Sequence, residues 1–270
     1  MEFNHVRYDL ADGIAEIAID RPEVLNAFDE ATIEELVVAI ETALNDDAAY
    51  IVLLTGTGRA FCAGADLTVA DDRNREFESV ESSVEARREY MDYAEKVVDV
   101  VRLLHIGEKP TLAAVNGPAI GAGSDFALAC DLRVMAEDGV LREQFVNLGF
   151  VAADGGGWLL PRLVGDAKAT EYLLTGRDIP AEEAVDVGLA VEVAPSGEML
   201  EVARELAAEI RDKPALGVRY TKALIRRDSS FEEYVTDGLA YQWEARNDPE
   251  QAEAVAAFVE DREPSFDREY

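Results

Sequence analysis

Residues 61–67 read F-C-A-G-A-D-L, and residues 116–125 read N-G-P-A-I-G-A-G-S-D. Each stretch follows an apolar run rich in β-branched residues, Ile51 to Leu54 before the first and Leu112 to Val115 before the second. Each is followed by a segment able to form a helix. Small residues at the end of a strand let another molecule approach the backbone closely. A helix that begins there directs free N–H groups at whatever arrives. Two such loops can each supply one N–H to a single oxygen, the arrangement that stabilises an enolate or a tetrahedral intermediate. The pattern of strand, glycine loop and helix, used twice, points to an α/β fold.

Working outward, Val6 to Leu10, the turn Ala11-Asp12-Gly13 and the alternating Ile14 to Ile19 predict a hairpin. Asp29 is a good N-cap for a helix reaching about Leu44, with Ile33, Leu36, Val37 and Ile40 at helical spacing. Residues 68 to 90 are strongly charged and predict a mobile loop, followed by a long helix from about Tyr90 to Leu104. After Leu112 to Val115 the second glycine loop leads into a helix from about Gly121 to Cys130. Strands are expected at Leu132 to Ala136 and near Val140 to Leu141, a helical turn at Gln144 to Leu148, and a last strand at Val191 to Val193. D-G-G-G-W, Asp154 to Trp158, opens another helix, and Thr170 to Leu174 is helical. From Ser196 onward the pattern is helical only, near 197–210, 214–227 and 231–260, with a break at Asn247-Asp248-Pro249. The expected organisation is therefore a core of residues 1–195 and a helical C-terminal region of residues 196–270.

The 270 residues include 25 basic and 56 acidic ones, a net charge of −31. Lysine occurs only at 96, 109, 168, 213 and 222. So negative a field argues against nucleic acid and anionic membranes as partners. The acids form no tail but recur along every helical stretch, as in Asp71-Asp72, Glu182-Glu183 and Glu232-Glu233. An acidic coat with little lysine fits a salty cytoplasm, where screening reduces self-repulsion. No apolar run is long enough for a membrane helix, and the first residues lack the pattern of a secretion signal. Cys62 and Cys130 belong to no CxxC pair, so neither a zinc site nor a disulfide framework is expected.

Five passages together resemble the crotonase family, the enoyl-CoA hydratase/isomerase superfamily. They are R-P-E-V-L-N-A-F at 21–28, F-C-A-G-A-D-L at 61–67, A-A-V-N-G-P-A-I-G-A-G at 113–123, A-L-A-C-D-L-R-V at 127–134 and L-P-R-L-V-G at 160–165. The resemblance implies a spiral of ββα units, a C-terminal helical region that takes part in trimer formation, and assembly as a homotrimer or a dimer of trimers. It also implies an acyl-CoA thioester substrate, with coenzyme A present as part of that substrate and no separate cofactor or metal. By the same resemblance, the backbone N–H groups of Ala65 and Ala122 form the oxyanion hole, and Arg21, Val24, Leu25, Ala63, Asp66 and Leu67 lie along the coenzyme A side. Arg59 is a further cation near the loop.

Hydratases of the family use two glutamates to handle a water and its protons. Here the first position carries Asp125, one methylene shorter, and an ungapped count from Cys130 to Gly149 puts Phe145 at the second. Asp125 lies three residues after Ala122 and so shares its helix face; its structural alternative is a first-turn acid favouring the helix N-terminus. Asp154, before Gly155-Gly156-Gly157, is the second acid/base candidate, in a loop where related isomerases and dehalogenases carry an acid that aligns one residue earlier, at Ala153. Its structural alternative is an N-cap. Glu143 ranks third. His5, His105 and Cys62 fit no catalytic arrangement, and Trp158 belongs either to the acyl pocket or to the core. The expected activity is an enoyl-CoA hydratase or isomerase working through a thioester enolate. The alternatives are an acyl-CoA-binding member with little catalysis, or a thioester hydrolase.

Overall fold

A computed structural model describes residues 3–68 and 80–268. The chain begins with an antiparallel hairpin, β1 (Val6–Ala11) and β2 (Ile14–Ile19), paired Val6 with Ile19 through Ala11 with Ile14. Its two-residue turn, Asp12-Gly13, has positive φ at both positions (50° and 74°), the geometry that matches the twist of a tight hairpin. After a short 3-10 turn at Pro22–Val24 comes α1 (Glu30–Asn45). Asp29 caps α1 as expected, its carboxylate accepting from the Thr32 amide at 2.9 Å. Ile33, Leu36, Ala39, Ile40 and Ala43 form the buried stripe of α1.

β3 (Ile51–Gly56) is buried along its whole length, as a central parallel strand must be. α2 (Val80–Ile106) leads to β4 (Thr111–Val115), β5 (Pro118–Ile120), α3 (Ala122–Ala129), β6 (Leu132–Ala136) and β7 (Val140–Arg142). A 3-10 turn at Gln144–Leu148 precedes α4 (Gly156–Val164), α5 (Asp166–Thr175), β8 (Ile179–Pro180), α6 (Ala181–Asp186) and β9 (Glu192–Ala194). The chain closes with α7 (Met199–Arg211), α8 (Ala215–Arg226), α9 (Phe231–Arg246) and α10 (Pro249–Glu260). Six strands make one sheet in the order β1-β2-β3-β4-β6-β9, parallel except at the hairpin, and β5-β7-β8 make a second. The chain alternates between the two sheets as it advances, which gives the expected spiral.

Several expectations need correction. α2 starts at Val80, ten residues before the predicted Tyr90. Its first turns are largely exposed from residue 83 onward, so no apolar stripe marks them. The loop expected at 68–90 is thus helical from Val80, and residues 69–79 lie outside the described residues. Pro118–Ile120, expected to be part of a loop, is strand β5. β8 and α6 were not anticipated; with two and six residues they are too short to carry a periodic signal.

One face of the large sheet packs on α1 and α2 together with the wholly buried α3. The other face is covered by α7, whose Met199, Ala203 and Ala207 meet Ile51, Leu53, Leu112, Ala114, Val134 and Ala136. α8 is attached differently, through buried charge. Lys222 Nζ donates to the carbonyl oxygens of Leu104 and Lys109 at 3.0 and 2.8 Å and pairs with Asp131 at 2.8 Å. Arg226 pairs with the other oxygen of Asp131 at 2.8 Å. The C-D-L-R motif is therefore structural: Asp131 also accepts from the Thr111 amide at 2.8 Å, and buried Arg133 donates to the Cys130 carbonyl at 2.8 Å at the end of α3. Removing Asp131 would leave the Lys222 ammonium buried without a counter-ion. Asp131→Ala is expected to lose about 3 kcal/mol of folding free energy, read as a lower urea midpoint at unchanged slope.

Candidate active site

The two small-residue loops are joined through their backbones. The amides of Phe61 and Cys62 donate to the Pro118 carbonyl at 3.1 and 3.2 Å, and the Ile120 amide donates to the Cys62 carbonyl at 2.9 Å. Glycine makes this approach possible. A Cβ on Gly123 would lie 2.3 Å from the Cys62 carbonyl oxygen. One on Gly64, which has φ +87°, would lie 2.7 Å from the Ile120 carbonyl oxygen and 4.0 Å from the Ala122 nitrogen. The residue before Ala65 is thus in contact with the start of α3.

The Phe28 amide donates to the Gly64 carbonyl at 2.9 Å, and the Asp66 amide donates to the Phe28 carbonyl at 2.8 Å. Ala65 sits between those two bonds, so its own N–H points to the opposite edge, and Ala65 is exposed. Ala122 is the first residue of α3, where an N–H has no acceptor within the helix. Cys62, against Gly123 of α3, is fully buried, and burial pushes its thiol up to about 12. It is a packing residue, not a nucleophile.

The first loop is braced by 21–28. The Ala63 amide donates to the Leu25 carbonyl at 3.1 Å. Leu25 and Asn26 both have φ near +58°, an uncommon conformation that asparagine tolerates better than most residues. Asn26 was not singled out from the sequence, yet it is fully buried and joins three segments. Its side-chain oxygen accepts from the Arg21 amide at 2.9 Å, and its nitrogen donates to the carbonyls of Thr57 and Ala60 at 2.8 and 2.7 Å. The Arg21 guanidinium donates to the Ala27 carbonyl at 2.7 Å and lies 3.3 Å from Asp29 and 3.8 Å from Asp66. Asp66 also accepts from the Thr68 amide at 3.0 Å. Arg21 and Asp66 therefore hold the loop in shape. Val24, Leu25 and Ala63 are half-buried, and Leu67 and Arg59 are exposed.

Three carboxyl groups gather beside the first turn of α3. Asp125 and Glu143 are buried, and Asp154 is half-buried. A Cβ on Gly156 would lie 2.3 Å from Asp125 Oδ1 and 2.4 Å from Glu143 Oε2, so both carboxyls crowd the same point on the first residue of α4. β7 brings Glu143 there. β7 pairs with β5, Ile120 facing Arg142, and the Gly121 amide donates to the Arg142 carbonyl at 2.8 Å. The residue after Arg142 must then lie against α3. Nothing in the local sequence marks Glu143, because the β5–β7 pairing is a tertiary event.

Among the described residues, no oxygen of Asp125 or Glu143, nor the Ser124 hydroxyl, makes a hydrogen bond of good geometry, although the Gly156 amide lies by Asp125 and the Ser124 hydroxyl by Glu143. Burial, and then the charges of Glu143 and Asp154, raise the Asp125 pKa well above the usual carboxylate range. Burial raises Glu143 to about 7, and burial also raises Asp154. Asp154 is not the N-cap of α4, which is Gly155. Phe145 is half-buried, its ring edge 3.9 Å from where a Gly121 Cβ would stand. His105 packs edge-on against Trp158 at 5.3 Å, and the Arg162 guanidinium stacks over the Trp158 ring at 3.7 Å. His5 lies 3.2 Å from the Thr32 hydroxyl, at the cap of α1.

Residues 9–269 match the family model described as enoyl-CoA hydratase/isomerase. The chain is 32% identical over 267 residues to a short-chain-enoyl-CoA hydratase of Clostridium acetobutylicum, covering 97% of each protein. It is 34% identical over 276 residues to a crotonyl-CoA hydratase of Syntrophomonas wolfei, covering 98% of this chain and 99% of that one. A crystal structure of an enoyl-CoA hydratase from Bacillus anthracis superposes with a TM-score of 0.89 at 27% identity, over 98% of this chain and 100% of that one. The chain belongs to the enoyl-CoA hydratase/isomerase family and is an enzyme of that family.

Two outcomes follow from the crowding of the carboxyls. Gly156→Ala forces Asp125 or Glu143 aside and is expected to cost about 1–3 kcal/mol, seen as a lower thermal midpoint. The second concerns pH. Glu143 takes up its proton at a higher pH in the folded chain than the ordinary 4.5 of the unfolded one. The folded chain therefore binds more protons between pH 4.5 and about 7, and stability falls as pH rises through that window. Glu143→Gln, neutral at every pH, is expected to match the parent near pH 4.5 and exceed it above 7, in urea unfolding at constant salt. Parallel curves for the two proteins would contradict the assignment.

Proposed function

We propose that this enzyme converts an enoyl-CoA by hydration or isomerisation through a thioester enolate. In this reading the amides of Ala65 and Ala122 donate to the thioester oxygen, and Asp125 and Asp154 move protons at the α and β carbons of the acyl chain. The observation that supports it is the meeting of the two glycine loops next to a cluster of acids with raised pKa values. A proton leaves the carbon beside the thioester carbonyl only if the charge arriving on oxygen is stabilised, and one preorganised donor is worth roughly 3 kcal/mol. Acids raised toward neutrality are suited to give and take protons at physiological pH. Phe145 brings no proton to the site, so a second acid must act where hydration is the reaction, and Asp154 fills that role. Isomerisation needs a single mobile base and makes smaller demands on the same site.

Coenzyme A would lie along Arg21, Val24, Leu25, Ala63, Asp66 and Leu67. Since Arg21 is engaged with Asp29 and Asp66, its part is to shape the Val24–Leu25 backbone there, and exposed Arg59 is left to meet phosphate. The reading also includes a homotrimer or dimer of trimers, in which the helical region of residues 196–270 contributes contacts beyond the acyl-CoA-binding core of residues 1–195. Support comes from the apolar side chains exposed on α8–α10, among them Ile225, Phe231, Trp243 and Phe258. The acidic surface suits a salt-rich cytoplasm of a halophile. Among the described residues no helix is long and apolar enough to cross a membrane.

Crotonyl-CoA is the diagnostic substrate, assayed by loss of the conjugated thioester absorbance in molar potassium chloride. Asp154→Asn is expected to lower kcat at least about 100-fold, the usual contribution of a proton-transfer group. A 3-enoyl-CoA offered in parallel separates isomerisation from hydration. Binding of both thioesters with no turnover of either, or free coenzyme A as the sole product, would overturn the reading in favour of a binding protein or a thioester hydrolase.

A further inference from the structure

The acid cluster holds one group that the proposed chemistry does not use. Glu143 is buried on the end of β7, and among the described residues neither of its oxygens makes a hydrogen bond of good geometry; the same holds for both oxygens of Asp125. The two side chains converge on the point where a Gly156 Cβ would stand, from two elements, α3 and the end of β7. Ser124, also buried and without such a bond, stands beside Glu143.

We infer that Asp125 and Glu143 hold one proton between them, and that Glu143 is a positioning residue whose charge keeps Asp125 in the protonated, acidic form. The inference rests on the reading of Asp125 as a proton-handling residue, but the shared proton itself is a ground-state property of the free enzyme.

The physical case is one of desolvation and repulsion. Two carboxylates side by side, out of water and without a cation among the described residues, would carry a charge that the Gly156 amide and the Ser124 hydroxyl only partly offset. One proton between them removes most of that cost, as in other paired acids. Among the described residues, the groups facing the pair supply no cation. α3 contributes Asp125 and the neutral Ser124. The loop before α4 contributes Asp154, whose charge pushes both members upward. The chain neighbour of Glu143, Arg142, is bound to Asp178. α2 closes over Gly155 with the apolar Val101. His105 of α2, packed on Trp158 of α4, is held neutral with a pKa of about 4 by burial and by the nearby Arg226 and Lys222. Ser124 can turn its hydroxyl toward whichever oxygen of Glu143 bears the charge. Asp154, more exposed, is shifted upward by burial alone. With one proton on the pair, the site contains an acid and a carboxylate at one pH.

Carboxyl 13C NMR on the full-length protein labelled at Asp and Glu tests this directly, with Asp125→Asn and Glu143→Gln used to assign the two signals. The expected result is that the Asp125 and Glu143 signals titrate together, with Asp125 in its acid form at pH 7. In Glu143→Gln, Asp125 should ionise at a pH lower by about one unit, a tenfold gain in acidity, and Glu143→Asp should restore the parent value. The alkaline limb of the kcat profile on crotonyl-CoA should move with it while KM stays within about twofold, a pattern that a purely packing role would not produce. An Asp125 signal in the carboxylate form at pH 7, or one whose midpoint is unmoved by Glu143→Gln, overturns the inference. The NMR titration decides it even if crotonyl-CoA proves not to be turned over, so failure of the proposed activity is told apart from failure of the shared proton.

Discussion

Three main-chain hydrogen bonds, from the amides of Phe61, Cys62 and Ile120, join the loop after β3 to β5 and hold the two glycine loops in contact. The site depends on them. They bring the stretch ending in Ala65 against the first turn of α3, although more than fifty residues separate the two in the chain. They exist only because Gly64 and Gly123 leave no side chain in the gap, where a Cβ would stand 2.7 and 2.3 Å from a carbonyl oxygen. Small residues here serve both packing and chemistry.

Around this junction the fold uses polar groups as ties, placed where backbone groups would otherwise be left unsatisfied. Asn26 binds the 21–28 segment to the turn before the first loop, using all of its short side chain. Lys109 donates to the Ala43 carbonyl at the C-terminal end of α1 at 2.8 Å, and Lys222 donates to the Leu104 carbonyl near the end of α2. Lysines at helix C-termini answer both the free carbonyls and the helix dipole. In a chain with five lysines, these two are the buried ones, while the acidic residues dominate the surface. Scarce positive charge is placed where it completes the fold.

The acid cluster follows the opposite rule. Asp125, Glu143 and Asp154 are brought together without a cation among the described residues, an arrangement that costs stability once they ionise. An enzyme that must move protons near neutral pH needs carboxyls shifted upward, and burial with like charges is the available means. The wholly buried α3 carries both Ala122, its first residue, and Asp125 in its first turn, so the two groups that the proposed reaction would use are mounted on one rigid turn. Gly156 admits the carboxyls, and any larger residue would separate them.

Local order was legible from the chain itself. The hairpin turn at Asp12-Gly13, the Asp29 cap, the central strands, the break before Pro249 and the two glycine loops all declare themselves through residue types that act over a few positions. The five family-like passages extended this to the spiral fold. What the chain could not declare was anything set by pairing between distant segments. β5 looked like a loop because a three-residue strand has no period, and its existence rests on partners at 61–62 and 140–142. Glu143 looked like one acid among 56, and only the β5–β7 register sets it against Asp125. Arg21 carries the charge expected of a phosphate ligand, yet Asp29 and Asp66 engage it. Residue type and short-range spacing are properties of the sequence, whereas burial and the proximity of like charges come from tertiary contacts, which alone gather three ordinary carboxylates into one cluster with raised pKa values.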